Sequence, residues 1–175
     1  MSVAHRSDES IWVRMMHWVP VEAEWPEPVQ GAVLPNIGIR LLGSVACADP
    51  SEEDGIDPRE ESPGTPRGTV EYVVTGSVAR ARDFEVDTGA GGQSAGVELV
   101  LTVNGRLIQA QVDGRARDVE PGSRLRLRGE FLVIGDYEWE AFDLVDTRAS
   151  WSVEEMRQFS TGDYLLRLVP APQSV

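Results

Sequence analysis

One dipeptide, Asn104-Gly105, constrains this chain more than any other feature. Asn-Gly between alternating apolar residues is the strongest short-range sign of a two-residue β-hairpin turn. Such a turn pairs residue 101 with 108, 99 with 110 and 97 with 112. Those pairs are Leu–Ile, Leu–Ala and Val–Val, all apolar. The opposite face pairs Val100 with Gln109 and Glu98 with Gln111, which is largely polar. One core face and one wet face is the signature of an antiparallel sheet laid on a core. Strands are therefore predicted over 97–103 and 106–112.

The neighbouring segments extend the pattern. Thr69 to Ala81 alternates as a strand, with Val70, Tyr72, Val74 and Val78 on one side and Gly76 at a bulge position. Glu85 to Gly96 reads as a Gly-rich loop. Val119 to Ser123 is a turn and Arg124 to Ile134 a strand. Gly135-Asp136 offers a second two-residue turn, with Tyr137 to Thr147 as the return strand. That register sets Leu127 against Leu144, Gly129 against Phe142, Arg128 against Asp143 and Leu132 against Trp139. In the tail, Ser152 and Glu155 form a capping box, with Trp151 and Met156 at the staple positions, so a short helix is expected before Gly162. Asp163 to Val169 reads as a last strand, stopped by Pro170 and Pro172.

Upstream, the boundaries are set by composition. Residues 49–67 hold seven acidic residues and four prolines around one large apolar residue, Ile56. Such a stretch buries too little to repay its ordering entropy and is read as an acidic linker or loop. An EF-hand is excluded there, because Gly55 as the turn glycine places Pro50 at the first ligand position. Residues 1–48 form a Trp-rich N-terminal extension with short strands around 11–19 and 37–47. Residues 68–148 form a β-barrel, and 149–175 the helix and terminal strand. The fold class is mainly β: a small antiparallel β-barrel with an N-terminal β/irregular extension and one short C-terminal helix.

Charge and residue counts narrow the functions. The chain has 175 residues and a net charge of −13, and all 16 basic residues are Arg. Without Lys there is no Schiff-base or P-loop lysine chemistry. Cys47 is the only cysteine, which excludes an intramolecular disulfide or a multi-Cys zinc site. His5 and His17 are the only histidines. No apolar run reaches about 18 residues, and the start lacks a secretory core, so no membrane span and a cytoplasmic location are expected. The 49–67 segment alone carries −5, while residues 106–128 carry six Arg against three acids.

Five strands ordered as 69–81, 97–103, 106–112, 124–134 and 137–147 resemble an OB-fold barrel. The resemblance rests on the long first strand with Gly76, the hairpin at Asn104-Gly105, and the run Glu120-Pro121-Gly122-Ser123-Arg124-Leu125-Arg126-Leu127-Arg128-Gly129. The last is similar to the acidic–x–Gly–x–x–apolar–x–apolar–x–Gly lead-in to the fourth strand of nucleic-acid-binding OB domains. The likeness covers about 80 residues of the chain. It departs from the family between the third and fourth strands, where only Asp113 to Asp118 are available for the usual helix. The resemblance implies binding through the face of strands two and three, here Glu98, Val100, Thr102, Leu107, Gln109 and Gln111.

Candidate sites follow. Trp12, Trp18 and Trp25, with Met15 and Met16, either dock as additional core or form a protein interface. Arg80, Arg82, Arg115, Arg117, Arg124, Arg126 and Arg128 are the candidate polyanion contacts, with Arg124, Arg126 and Arg128 on one strand face. The alternative for that face is pairing with acids on a neighbouring strand. The Gly-rich run 88–96 lacks the Lys and the last Gly of phosphate-binding loops and reads as a connection. Glu138 and Glu140 would share a strand face near a turn, where exposure is expected. Cys47 reads as a small buried residue. No catalytic residue, metal or cofactor is expected. A non-enzymatic module that binds a protein partner is favoured over a nucleic-acid binder, which the net charge disfavours; an enzyme of unrecognised type ranks last.

Overall fold

The computed structural model describes residues 10–23, 25–59, 69–87, 93–113 and 118–172. Among these are ten strands: β1 Ile11–Met15, β2 Val33–Ile37, β3 Ile39–Cys47, β4 Gly55–Arg59, β5 Glu71–Asp87, β6 Gln93–Val103, β7 Arg106–Asp113, β8 Arg124–Val133, β9 Ala149–Gln158 and β10 Tyr164–Pro170. Two short helices join them, α1 Trp18–Glu22 and α2 Glu138–Ala141.

The predicted hairpin is present in the predicted register. Leu101 pairs with Ile108, Leu99 with Ala110 and Val97 with Val112 across Asn104-Gly105. Both turn residues take positive φ, 50° and 77°, as a two-residue hairpin turn of this type requires. Leu99, Leu101 and Ala110 are fully buried, and the strand expected over 69–81 is found from Glu71 onward, in the longer β5. Its bulge lies between Val78 and Arg80 rather than at Gly76.

Five strands close a barrel in the order β5–β6–β7–β3–β8 and back to β5. Two of them divide their edges between partners. Residues 125–129 of β8 lie between β3 and β5, and residues 131–132 lie between β3 and β1. β5 pairs with β4 and β8 through its first half and with β6 through its second. From β8 the sheet continues outward as β1–β10–β9–β2. The core is continuous across the ring and this extension: Leu41, Leu127 and Phe131 of the barrel belong to one cluster with Val13, Met15, Leu166 and Leu168.

The ring is not purely antiparallel, because β3 runs parallel to β7; outside the ring, β1 also runs parallel to β8. The fifth ring strand is β3 from the Trp-rich segment, not 137–147. Both edges of β8 are already taken, so no edge remains for a return strand, and Gly135-Asp136 leads into α2 instead. Leu144, Phe142, Asp143 and Trp139 therefore do not face Leu127, Gly129, Arg128 and Leu132; Gly129 pairs with Gly43 and Tyr72.

The C-terminal helix is also absent. Residues 149–158 are β9, laddered to β10 on one side and to β2 on the other. A capping box contributes only about 1 kcal/mol, and two ladders with a buried Val153 outweigh it. Within the acidic stretch, residues 55–59 form β4, set against β5 with Ile56 opposite Val74. The Gly-rich connection is shorter than expected, since β5 runs to Asp87 and β6 starts at Gln93.

Candidate functional site

The arginine face of β8 alternates with its buried leucines, as a strand period of two dictates. Leu125 and Leu127 point inward, and Arg124, Arg126 and Arg128 point outward. Each outward guanidinium meets an acid. Arg124 donates to the Glu52 carbonyl and stands 2.8 Å from the Asp54 carboxylate. Arg126 pairs with Glu52, and Arg128 with Glu71. The partners come from β5 and from the acidic stretch before β4, not from Asp143. The side-chain hydrogen bond from Arg126 leads the contacts that hold the Glu52 carboxyl below its ordinary value. Arg80 and Arg82 on β5 lie 3.5 and 3.2 Å from Asp143. Arg115 and Arg117 lie outside the described residues.

The Trp-rich segment packs against the core. Met15 is fully buried, and Trp12, Met16, Trp18 and Trp25 are half-buried on the core cluster. Trp18 lies over Gly135 with its ring 6.0 Å from that of Tyr137. The Trp12 backbone N–H donates to the Tyr72 hydroxyl at 2.7 Å, and the Arg157 guanidinium sits 4.9 Å from the Trp12 ring centre. Trp12 also lines a groove of about 760 Å³ with Ile11, Ile56, Pro58, Val70 and Tyr72, where β1 approaches β4 and β5. Ile56 and Pro58 belong to the stretch read as a linker, so the sequence did not reveal their part of this groove.

Of the β6–β7 face expected to be open for binding, Glu98, Val100 and Gln109 lie beneath another part of the chain, whereas Leu107 is exposed. Glu98, Val100 and Gln109 are buried. Segment 137–145 lies across them and, with Arg80 and Arg82, encloses a cavity of only about 10 Å³, room for roughly one water. Glu138 anchors this cover. One of its carboxylate oxygens is 2.6 Å from Arg40 Nη2, and the other accepts from the Gly135 N–H at 2.8 Å. Farther along, the Phe142 ring stands edge-on to Phe84 at 6.3 Å, and Phe84 lies over its cross-strand partner Gly96. Trp139 fills the space that a side chain at Gly38 would occupy.

The cluster beneath the cover is charged. Arg40 lies 3.9 Å from Glu98, whose other oxygen is 3.5 Å from Gln109 Nε2. Burial pushes the Glu98 carboxyl up, against the pull of Arg40. Gln109 Oε1 and Arg40 Nε are buried without a hydrogen-bond partner. Glu138 and Glu140 thus do not share a strand face: Glu138 is buried in the cluster, and Glu140 is exposed on α2. Cys47, expected to be buried, is exposed at the end of β3. Among the described residues, no group of three or more His, Cys, Asp or Glu could hold a metal ion, and no helix is long and apolar enough to cross a membrane.

These features define a closed five-stranded β-barrel carrying a four-stranded extension and a self-covered outer face. Comparison with known proteins finds no matching family model, curated protein or solved structure.

Proposed function

We propose that this chain is a non-catalytic β-barrel module that binds a protein partner, and that the groove lined by Trp12, Tyr72, Ile56 and Pro58 receives an apolar segment of that partner. The observation that carries the reading is the groove itself. Its size is in the range of binding clefts, its lining sets apolar and aromatic side chains beside Arg106 and Arg167, and a half-buried aromatic anchor such as Trp12 is the kind of residue that dominates binding energy at protein interfaces. The edges of the sheet favour side-chain docking over strand addition. Pro35 stands in edge strand β2 and Pro58 in β4, and a proline blunts an edge against pairing. The ion pairs on Arg124, Arg126 and Arg128 weigh against a polyanion held by that face.

We infer that the barrel is an OB-like ring in circular permutation. Its first four strands are β5, β6, β7 and β8, and β3, which precedes them in the chain, takes the fifth place. Capture of partners from lysate by wild type, Trp12→Ala and Pro58→Arg tests the function. The reading expects one stoichiometric partner with wild type, lost with both variants while their thermal midpoints hold. Equal capture by all three proteins contradicts it.

A further inference from the structure

The cover over β6 and β7 has the composition of a ligand rather than of a spacer. It runs Tyr137-Glu138-Trp139-Glu140-Ala141-Phe142-Asp143, three aromatic and three acidic residues in seven. Beneath it, Arg40, Arg80 and Arg82 face three carboxylates, those of Glu98, Glu138 and Asp143. Two of the three belong to the cover. With the cover lifted, the face keeps three arginines against Glu98 alone, beside the exposed ring of Phe84.

The attachment is local. α2 is a single turn, and the cover is held by Glu138 on Arg40 at one end, Asp143 on Arg80 and Arg82 at the other, and the rings of Tyr137 on Trp18, Trp139 over Gly38 and Phe142 on Phe84 between them. Asp143 reaches its arginines with a φ of 47°, a left-handed conformation that Asp and Asn adopt more readily than most other residues. The fit beneath is also incomplete. Gln109 is 2% exposed, lines the small cavity, and its Oε1 accepts no hydrogen bond. The small cavity beside this oxygen has room for about one water, so the cover itself leaves the Gln109 amide oxygen without a protein donor.

Resting on the protein-binding reading, we propose that this outer face is a second peptide-binding site, closed by residues 137–145, whose ligand is a partner segment with the acidic–aromatic spacing Glu-x-x-x-Phe-Asp shown by Glu138, Phe142 and Asp143. A carboxylate replaces Glu138 at Arg40, an aromatic ring replaces Phe142 at Phe84, and a second carboxylate replaces Asp143 at Arg80 and Arg82. A nucleic-acid strand is the less suitable occupant, because Glu98 stays at the centre of the face and the whole chain carries −13. The tethered cover competes at an effective concentration of order millimolar, so wild type binds such a segment weakly.

The test uses the full chain and a fluorescent peptide with the sequence of residues 135–147. Phe142→Ser/Asp143→Ser loosens the cover, with circular dichroism and thermal midpoints reporting the fold. If that pair fails to fold, Asp143→Ser alone takes its place, since Asp143 is exposed. The opened protein is expected to bind the peptide at least about tenfold more tightly than wild type. Adding Arg80→Ser/Arg82→Ser, or replacing the peptide's acids by amides, is expected to remove the gain. No peptide binding by the opened protein, or tighter binding of single-stranded oligothymidine than of peptide, overturns the proposal. The groove reading stands or falls separately, because its assay uses the closed protein and variants away from this face.

Discussion

Arg40 on β3 and Glu138 on α2 lie 2.6 Å apart across 98 residues of sequence, and their pair holds the cover on the barrel. Glu98 stands on the far side of the same guanidinium at 3.9 Å. The two carboxylates are not equivalent. Burial raises the Glu98 carboxyl, so the fold favours its neutral form: that contribution is present at low pH and is lost as pH rises through the folded value. Glu98→Gln should therefore leave the urea midpoint at pH 7 unchanged or slightly higher, with the difference gone by about pH 4. Glu138→Gln should lower it. Equal losses from the two substitutions would contradict this division of roles.

Gly43 and Gly129 face each other where β8 changes partner from β5 to β1. A Cβ on Gly43 would overlap the Arg128 carbonyl, and one on Gly129 would overlap that of Leu42. Backbone cannot yield as a flexible side chain can. Gly43→Ala or Gly129→Ala should each cost about 3 kcal/mol or prevent folding, as judged by chemical denaturation. Gly31→Ala, which meets no neighbour but sits at φ 86°, should cost only the smaller penalty of its backbone angle.

The arginine strip is predicted to be a solvated, internally paired face. Arg126→Ala should leave the thermal midpoint within error of wild type, because exposed ion pairs contribute little. It should also leave retention on a heparin column unchanged at 150 mM salt, roughly the physiological ionic strength. A marked loss of retention would mean that Arg126 holds polyanions.

Asp163 links three elements: it accepts from the His17 backbone N–H at 3.0 Å, meets His17 Nδ1 at 2.9 Å, and takes Arg14 Nη2 at 2.9 Å. Burial alone would raise its carboxyl, but the hydrogen bonds from His17 and Arg14 hold it at about 2. The folded value lies below the unfolded one, so this stability is present above about pH 4 and is lost as pH falls toward 2. Thermal midpoints from pH 5 to pH 2 should show a drop that Asp163→Asn flattens while lowering the pH 5 value. A parallel pair of curves would show that Asp163 contributes nothing to acid unfolding.

Local chemistry was readable in the sequence, and long-range pairing was not. Asn104-Gly105 gave the hairpin and its register because turn geometry and period-two burial act within a few residues. The same reasoning failed at Gly135-Asp136, where a plausible turn meets a strand whose edges β3, β5 and β1 already occupy. Ser152 and Glu155 signal a helix start, yet the edges of β2 and β10 draw that segment into a strand. The parallel pairing of β3 with β7 joins residues about 70 apart with no turn between them, so no local pattern announces it. The arginine strip was visible as a strip, but its partners Glu52 and Asp54 lay in a stretch whose composition reads as linker. The sequence placed Glu98, Val100 and Gln109 on the outer face of β6 and β7 but read that face as wet, whereas the structure buries all three. What covers it could not be seen until Arg40 and Glu138 were brought together.

A double-mutant cycle on Arg40→Met and Glu138→Gln tests the cover most directly, measured as urea unfolding of the four proteins. The account predicts that the two residues are coupled by about 1–3 kcal/mol, with the double variant losing less than the sum of the single losses. Losses that add within about 0.5 kcal/mol would contradict it, because residues that add so closely do not hold each other in place.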